Sequence, residues 1–186
     1  MLVGAGGFGR VVLEHASSNY ECAFVDDGLA TEVDGVKVIG KISELNRLFG
    51  NYNQLIVTIG NNKLRENVYK TAKEIGFSFL NIIVSSAYIS PYTHIEASCI
   101  VLNNVSIQNN ASIGNGVILN LGLEIYHDSV IGNNVLIYTN SVVRSLALVV
   151  DRAWLGSTLT IGNNVVILDD CIIPDSQSQQ KLVWRI

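Results

Sequence analysis

The chain has 186 residues and a formal net charge of −4, from 12 Lys and Arg against 16 Asp and Glu. This length allows one domain or two modest ones, and an acidic balance without a Lys/Arg cluster argues against nucleic-acid binding. Because no apolar run approaches the ~20 residues of a membrane span and the few cysteines are scattered, we expect no membrane insertion and a reducing, cytoplasmic location.

The first residues have the pattern of a strand, a glycine turn and a helix. Met1–Val3 are a short apolar strand, residues 4–9 match G-x-G-x-x-G, and a helical pattern follows at Arg10–Ala16. A second strand, Cys22–Asp27, ends in two acidic residues, as in βαβ units that bind dinucleotides. A tight turn that binds no ligand remains the alternative.

The next elements extend this unit to a small parallel sheet. Asn53–Ile59 is a buried-strand pattern, and residues 60–62 are a natural N-cap for a helix over Lys63–Ile75. Phe77–Val84 predicts a last strand. Alternating strands and helices indicate a Rossmann-like α/β domain over residues 1–82.

Ligands of such sheets bind beyond the carboxyl ends of the strands. Glycines permit close approach of a diphosphate to the backbone, and the acidic pair can accept hydrogen bonds from a ribose or base. We therefore expect a uridine or cytidine nucleotide sugar in a crevice lined by Gly6, Gly7, Phe8, Asp26, Asp27, Gly60 and Asn61.

A six-residue period runs through the second half of the chain. From Ile89 to Ile173 every sixth residue is aliphatic, and a generally smaller residue stands two positions before each. This period fits neither an amphipathic helix nor a single half-buried strand. It predicts a prism with three flat faces, in which eighteen residues close a coil and about five coils stack.

Stacking explains how such a repeat is stabilised. Coils bury a continuous aliphatic column, at ~1.5–3 kcal/mol for each Ile, Val or Leu side chain. The turns need unusual backbone angles, which Asn and Gly adopt at low cost. Asn-Asn or Gly-Asn sequences of this kind occur at residues 103–104, 109–110, 114–115, 132–134 and 162–164.

The succession of a glycine loop, FVDDG, IGNNxxR and a hexapeptide solenoid resembles a family of hexapeptide-repeat sugar acyltransferases. This family includes sialic acid O-acetyltransferases and UDP-4-amino-sugar N-acetyltransferases of bacterial surface-glycan biosynthesis. The resemblance implies a left-handed parallel β-helix after the Rossmann-like domain, so we expect residues 83–186 to form a β-helix acyltransferase domain with a C-terminal tail.

The segment Ile118–Gly132, ILNLGLEIYHDSVIG, carries the most diagnostic part of the resemblance. It implies that His127 is the general base, that Asp128 raises its basicity, and that Asn120 contacts the substrate. The chemistry agrees, because acyl transfer from a thioester needs an amine or hydroxyl that loses a proton as it attacks. An adjacent carboxylate can orient the imidazole and stabilise its charged form.

The resemblance also implies acetyl-CoA as the acyl donor, bound between neighbouring prisms of a homotrimer. Leu136, Gly156 and Ser157 are the residues expected at this cofactor. Apolar outer positions support such assembly. They are Leu121, Leu136, Tyr138, Leu146, Leu148, Val150 and Leu168.

Two other functions compete with acyl transfer. A γ-class carbonic anhydrase shares the prism, but His15, His94 and His127 lack the spacing of its zinc ligands, so we expect no metal. A catalytically weak or inactive solenoid, which binds a nucleotide sugar or has a structural role, remains open.

Overall fold

The computed structural model describes residues 1–28 and 30–175. The chain divides into two compact units, Met1–Ile82 and a second that begins at Ile83. The C-terminal tail expected at residues 176–186 lies outside the described residues. Within the described part, no helix combines the length and apolar character needed to cross a bilayer.

The first unit is a parallel four-stranded sheet with order β2-β1-β5-β6. Its strands are β1 (Leu2–Val3), β2 (Phe24–Val25), β5 (Gln54–Val57) and β6 (Ser78–Phe79), and an antiparallel hairpin is formed by β3 (Glu32–Val33) and β4 (Val36–Lys37). The helices are α1 (Gly7–Ala16), α2 (Leu45–Leu48) and α3 (Asn62–Ile75), with a 3₁₀ turn at Ile42–Glu44.

Local chemistry accounts for the helix starts. Asn61 caps α3, because its side chain accepts a hydrogen bond at 2.9 Å from Leu64 N. The helix ends at Gly76, whose φ of 111° is the left-handed conformation that glycine adopts readily. Helix α1 begins at Gly7, three residues earlier than the sequence pattern predicts, because the glycine loop itself turns into the helix.

The predicted strand Phe77–Val84 is wrong as a single element. Its first part, β6, belongs to the sheet of the first unit, and its second part, β7 (Ile82–Ile83), is the first strand of the solenoid. A run of apolar residues does not reveal that the chain changes sheets. The hairpin β3–β4 and helix α2 were not predicted, since both are too short to show a period.

The second unit is a left-handed parallel β-helix, as predicted. Within the described residues up to 175, its three sheets contain six, five and five strands. One face holds β7, β10 (Ile100–Val101), β13 (Ile118–Leu119), β16 (Leu136–Ile137), β19 (Trp154–Leu155) and β22 (Ile172–Ile173). The second holds β8 (Tyr88–Ile89), β11 (Ser106–Ile107), β14 (Glu124–Ile125), β17 (Val142–Val143) and β20 (Thr160–Ile161). The third holds β9 (His94–Ile95), β12 (Ser112–Ile113), β15 (Val130–Ile131), β18 (Leu148–Val149) and β21 (Val166–Ile167).

The register confirms the six-residue period. Each strand pairs with the strand one coil later, so that Ile113 faces Ile131 and Ile131 faces Val149. The periodic aliphatic residues from Val101 to Ile173 are all buried in one core cluster, with Ile89 and Ile95 partly buried at its end.

The turns between faces use left-handed backbone. Asn104, Asn110, Asn134 and Asn164 have φ between 53° and 60°. This conformation is cheap for Asn but costly for most other residues. Leu146 adopts it too, with φ 64°.

Candidate functional site

The N-terminal unit contains a cavity at the carboxyl ends of its strands. Its volume is about 390 Å³. The lining residues are Gly4, Gly6, Gly7, Phe8, Asp26, Asp27, Ile42, Thr58, Ile59, Gly60 and Leu64. Of the residues expected in this crevice, Asn61 is not among them; its side chain caps helix α3.

The glycines of the loop have different physical roles. A Cβ on Gly9 would stand 2.0 Å from Gly4 O, so this glycine is required for the packing of α1 against the first strand. Cβ atoms on Gly6 or Gly7 would meet nothing within 4 Å. The space beside these two residues is open, and the first amides of α1 have no partner within the helix. The loop therefore offers backbone donors to an anion.

Asp26 and Asp27 stabilise the wall of this cavity through hydrogen bonds to backbone amides. Asp26 Oδ2 accepts a hydrogen bond from Ala5 N at 2.7 Å, and its Oδ1 accepts one from Gly28 N at 2.8 Å. Asp27 Oδ1 accepts from Ile42 N at 2.9 Å. Both carboxylates thus bind the backbone of the protein itself, a role that strand position alone did not predict.

Arg65 supports the part of the cavity wall that is formed by the loop after β5. Its guanidinium is fully buried and donates at 2.7 Å to Ile59 O and at 2.9 Å to Asn62 Oδ1. Because a buried guanidinium is costly unless its donors are used, these bonds hold the loop after β5 in place. The arginine of IGNNxxR is therefore a structural support of the cavity.

His127 lies in the second unit, on the turn between β14 and β15. Its Nδ1 is 2.7 Å from Asp128 Oδ2, and its Nε2 is 2.8 Å from Ser145 Oγ. The side chains of His127 and Asp128 are 52% and 39% exposed, so the pair is open to solvent. The structure thus has a solvent-accessible histidine beside a carboxylate at a prism edge, which is the geometry expected from the sequence.

Asp128 is held as an acceptor of two hydrogen bonds. Asn110 Nδ2 donates to its Oδ1 at 2.7 Å, and the His127 ring contacts the other oxygen. These contacts, with Asn110 the larger contribution, lower the pKa of Asp128 below its ordinary value. An ionised Asp128 favours the His127 tautomer that carries its proton on Nδ1 and a lone pair on Nε2.

The other residues expected at the substrate or cofactor of the second unit lie on the prism face that contains β13, β16 and β19, or on the turn that follows it. Asn120 is half-buried beyond β13. Leu136 is only 2% exposed, in a column between Ile118 and Trp154, and does not present its side chain to solvent. Gly156 is buried with its N–H bonded to Ile173 O at 2.8 Å, whereas Ser157 is half-buried in a turn.

Ser145 was not singled out from the sequence. A signal was present, since one coil is eighteen residues and Ser145 therefore lies directly after His127 along the same prism edge. The six-residue period identifies inward positions, but only the eighteen-residue coil shows which turn residues stack. Among the described residues, no group of three or more His, Cys, Asp or Glu side chains could hold a metal ion.

Comparison with known proteins agrees with this architecture. Residues 1–72 match the family described as PglD N-terminal domain. The chain is 26% identical over 178 residues to GDP-perosamine N-acetyltransferase of Escherichia coli O157:H7, covering 88% of this chain and 78% of that protein.

Two solved structures extend the likeness over both units. The acetyltransferase domain of PglB from Neisseria gonorrhoeae FA1090, in complex with acetyl coenzyme A, is 30% identical with a TM-score of 0.69, covering 94% of this chain and 91% of that one. A histidine-to-asparagine variant of perosamine N-acetyltransferase from Caulobacter crescentus, in complex with CoA and GDP-perosamine, is 27% identical with a TM-score of 0.78, covering 94% and 90%.

A Rossmann-like unit followed by a left-handed β-helix with an exposed His–Asp pair defines a class of acyltransferase. The chain belongs to the hexapeptide-repeat sugar acyltransferase family and is an acetyltransferase, as the sequence resemblance implied.

Proposed function

We propose that this chain transfers an acetyl group from acetyl-CoA to the amine of a nucleotide-linked sugar, with His127 as the general base. The observation that supports this proposal best is the 2.7 Å contact between His127 Nδ1 and an ionised Asp128 on an exposed prism edge. Relatives that are N-acetyltransferases or bind acetyl coenzyme A support the donor and the amine acceptor.

His127 acts through the lone pair on Nε2. As the acceptor nitrogen attacks the thioester carbonyl it must lose a proton, and a neutral imidazole is a suitable base for that proton. The imidazolium that forms is stabilised by the Asp128 carboxylate on the other side of the ring. Because the pKa of Asp128 is lowered, this carboxylate stays ionised at mildly acidic pH.

The acceptor nucleotide is assigned to the cavity of the N-terminal unit. Open space beside Gly6 and Gly7 and the amides at the start of α1 suit a diphosphate. Apolar side chains, Phe8 and Leu64 among them, can pack against a base or sugar. One relative is a GDP-perosamine N-acetyltransferase, and another is solved in complex with GDP-perosamine. A guanosine nucleotide sugar is therefore the first acceptor to test, in place of the uridine or cytidine sugar expected from the sequence.

Assembly to a homotrimer belongs to the same proposal. The third prism face carries an outward column of Val130, Leu148 and Val166, which are 42%, 37% and 43% exposed. Contiguous apolar surface of this kind favours self-association. Light scattering should return three times the chain mass of 20.2 kDa, and a monomeric mass would contradict this part of the proposal.

Thiol release from acetyl-CoA with GDP-perosamine as acceptor tests the reaction. His127→Ala should lower kcat by about 10²–10⁴ with little change in KM, because the proton transfer occurs only in the transition state. His94→Ala is a matched control, since His94 is also an exposed histidine beside a carboxylate, with Nε2 2.9 Å from Glu96 Oε1. If the parent transfers no acetyl group to any amino or hydroxyl nucleotide sugar, the alternative of an inactive solenoid is favoured.

A further inference from the structure

Ser145 contacts the nitrogen of His127 that has to take a proton in the proposed reaction. Its Oγ is 2.8 Å from Nε2, while Nδ1 is 2.7 Å from Asp128 Oδ2. A neutral imidazole has one donor and one acceptor nitrogen. Because Nδ1–H donates to the carboxylate, Nε2 is the acceptor and the Ser145 hydroxyl is the donor. The lone pair of the proposed base is therefore already engaged by a group of the protein itself.

The stacked coils fix the backbone that carries this hydroxyl. Leu146 N donates to His127 O at 3.4 Å, and Asn164 N donates to Ser145 O at 3.3 Å. The turn of Ser145 is thus bonded to the turns of the coils before and after it. Rotation of the Ser145 side chain between its staggered positions still remains possible. The hydroxyl can therefore leave Nε2 without a change in the backbone.

The Ser145 hydroxyl stands where a reacting group would have to stand. A general base takes a proton from an atom that lies ~2.6–3.2 Å away, and the lone pair on Nε2 accepts one hydrogen bond along the plane of the ring. Ser145 Oγ lies within that range. While the hydroxyl stays there, neither water nor an acceptor can donate to Nε2 in its place. Ser145 therefore acts on the reaction through His127, as a positioning residue.

Water and the acceptor sugar compete unequally with this hydroxyl. The His127 side chain is 52% exposed, so water can reach the ring. A hydrogen bond within a protein is favoured over the same bond to water by roughly 2–10-fold, which keeps water off Nε2 for most of the time. An acceptor sugar adds the binding energy of its nucleotide part, which is remote from the reacting atoms. The acceptor can therefore displace a hydroxyl that water displaces only rarely.

We propose that Ser145 keeps water from the proton-accepting nitrogen of His127 until the acceptor sugar displaces its hydroxyl, so that little acetyl-CoA is lost to hydrolysis. This inference rests on the proposed function, from which it takes acetyl-CoA as donor and His127 as base. The acceptor nitrogen attacks the thioester carbonyl directly, and Ser145 forms no bond to the acetyl group. Ser145 thus determines the choice between two acceptors, a sugar and water.

The reaction that Ser145 suppresses is hydrolysis of the thioester. The oxygen of a water bound at Nε2 would add to the thioester carbonyl while one proton of that water passes to Nε2. The C–S bond then breaks, and the CoA thiolate takes the proton from the imidazolium. The products are CoA thiol and acetic acid, which ionises. Transfer and hydrolysis therefore need the same nitrogen of the same base.

Thiol release from acetyl-CoA without any acceptor measures hydrolysis by the full chain. Ser145→Ala should raise this rate by roughly 2–10-fold, which is the preference of the hydroxyl over water. Ser145→Gly also lacks the hydroxyl and should show the same rise, so it serves if the Ala variant fails to fold. Ser145→Thr keeps a hydroxyl and should hydrolyse as slowly as the parent. Adding His127→Ala to Ser145→Ala should abolish the extra hydrolysis, a dependence that a merely structural role of Ser145 would not produce.

Ser78→Ala is the matched control. Ser78 is an exposed serine of the first unit, and its hydroxyl donates to Asn53 O at 3.1 Å, so its loss should leave hydrolysis at the parental rate. A Ser145→Ala variant that hydrolyses acetyl-CoA no faster than the parent would overturn the proposal. If this variant and the parent both acetylate GDP-perosamine, the proposed function stands although the inference has failed. Faster hydrolysis that depends on His127, without acetylation of any sugar, would show the reverse.

Discussion

Leu146 offers a quantitative test of the turn geometry. Its φ of 64° is a conformation that costs an L-residue ~1–2 kcal/mol, whereas Asn adopts it at much lower cost. Leu146→Asn should recover most of that energy. The substitution also loses some apolar burial. Because Leu146 is 56% exposed, the loss is under half of the ~1.5–3 kcal/mol of a fully buried leucine, or about 1 kcal/mol. The two effects nearly cancel, and we expect Leu146→Asn to be neutral or slightly stabilising.

Leu121 provides the matched control. It is 43% exposed and occupies a turn of the same solenoid, but it is not among the residues with positive φ. Leu121→Asn therefore loses similar burial and relieves no strain, so it should destabilise by about 1 kcal/mol. The predicted quantity is the difference between the two variants, ~1–2 kcal/mol, which shifts the melting temperature by roughly 2–4 °C per kcal/mol for a chain of this size.

Thermal and urea unfolding of the parent and the two variants measures this difference. The stability of Leu146→Gly should fall between that of Leu146→Asn and that of the control. Glycine relieves the same strain, but it gives the unfolded chain more conformational freedom, which destabilises the folded state by ~0.4–1 kcal/mol. Equal destabilisation of Leu146→Asn and Leu121→Asn would refute the reasoning, since it would mean that the left-handed turn carries no strain.

Two further predictions use neighbouring residues with opposite environments. Ile161→Asp should unfold the solenoid, because a carboxylate placed at a 2% exposed core position costs several kcal/mol, while Thr160→Asp, at an exposed position of the same strand, should melt close to the parent in circular dichroism. Similar melting of both variants would contradict the inward register. Gly9→Ala should destabilise the N-terminal unit, because its Cβ would collide with Gly4 O, while Gly6→Ala should fold normally and weaken nucleotide-sugar binding in calorimetry by narrowing the open loop. Unchanged affinity of Gly6→Ala would argue against the loop as the diphosphate site.

The solenoid was predictable because its signal is local and repeated. Burial at Ile125, Ile131 and Ile137 follows from a spacing that can be counted in the sequence, and the turns follow from residues that tolerate positive φ. The Asn61 cap and helix α3 were predictable for the same reason, since a cap and its helix are contiguous. The division of Phe77–Val84 was not, because its two parts pair with strands distant in sequence, and the hairpin β3–β4 was not, because its strands are too short to show a period.

The sequence by itself determined the two-part architecture, the inward faces of the coils and the exposed His127–Asp128 pair, since each depends on residues close in the chain or on a fixed period. Only the tertiary structure decided what these groups touch. It turned Asp26 toward the amides of Ala5 and Gly28, and it placed Ser145 on the second nitrogen of His127. The physical reason is that hydrogen bonds depend on direction and on distances of a few tenths of an ångström. Periodicity identifies the face a residue occupies, but only the closed stack of coils specifies its partner.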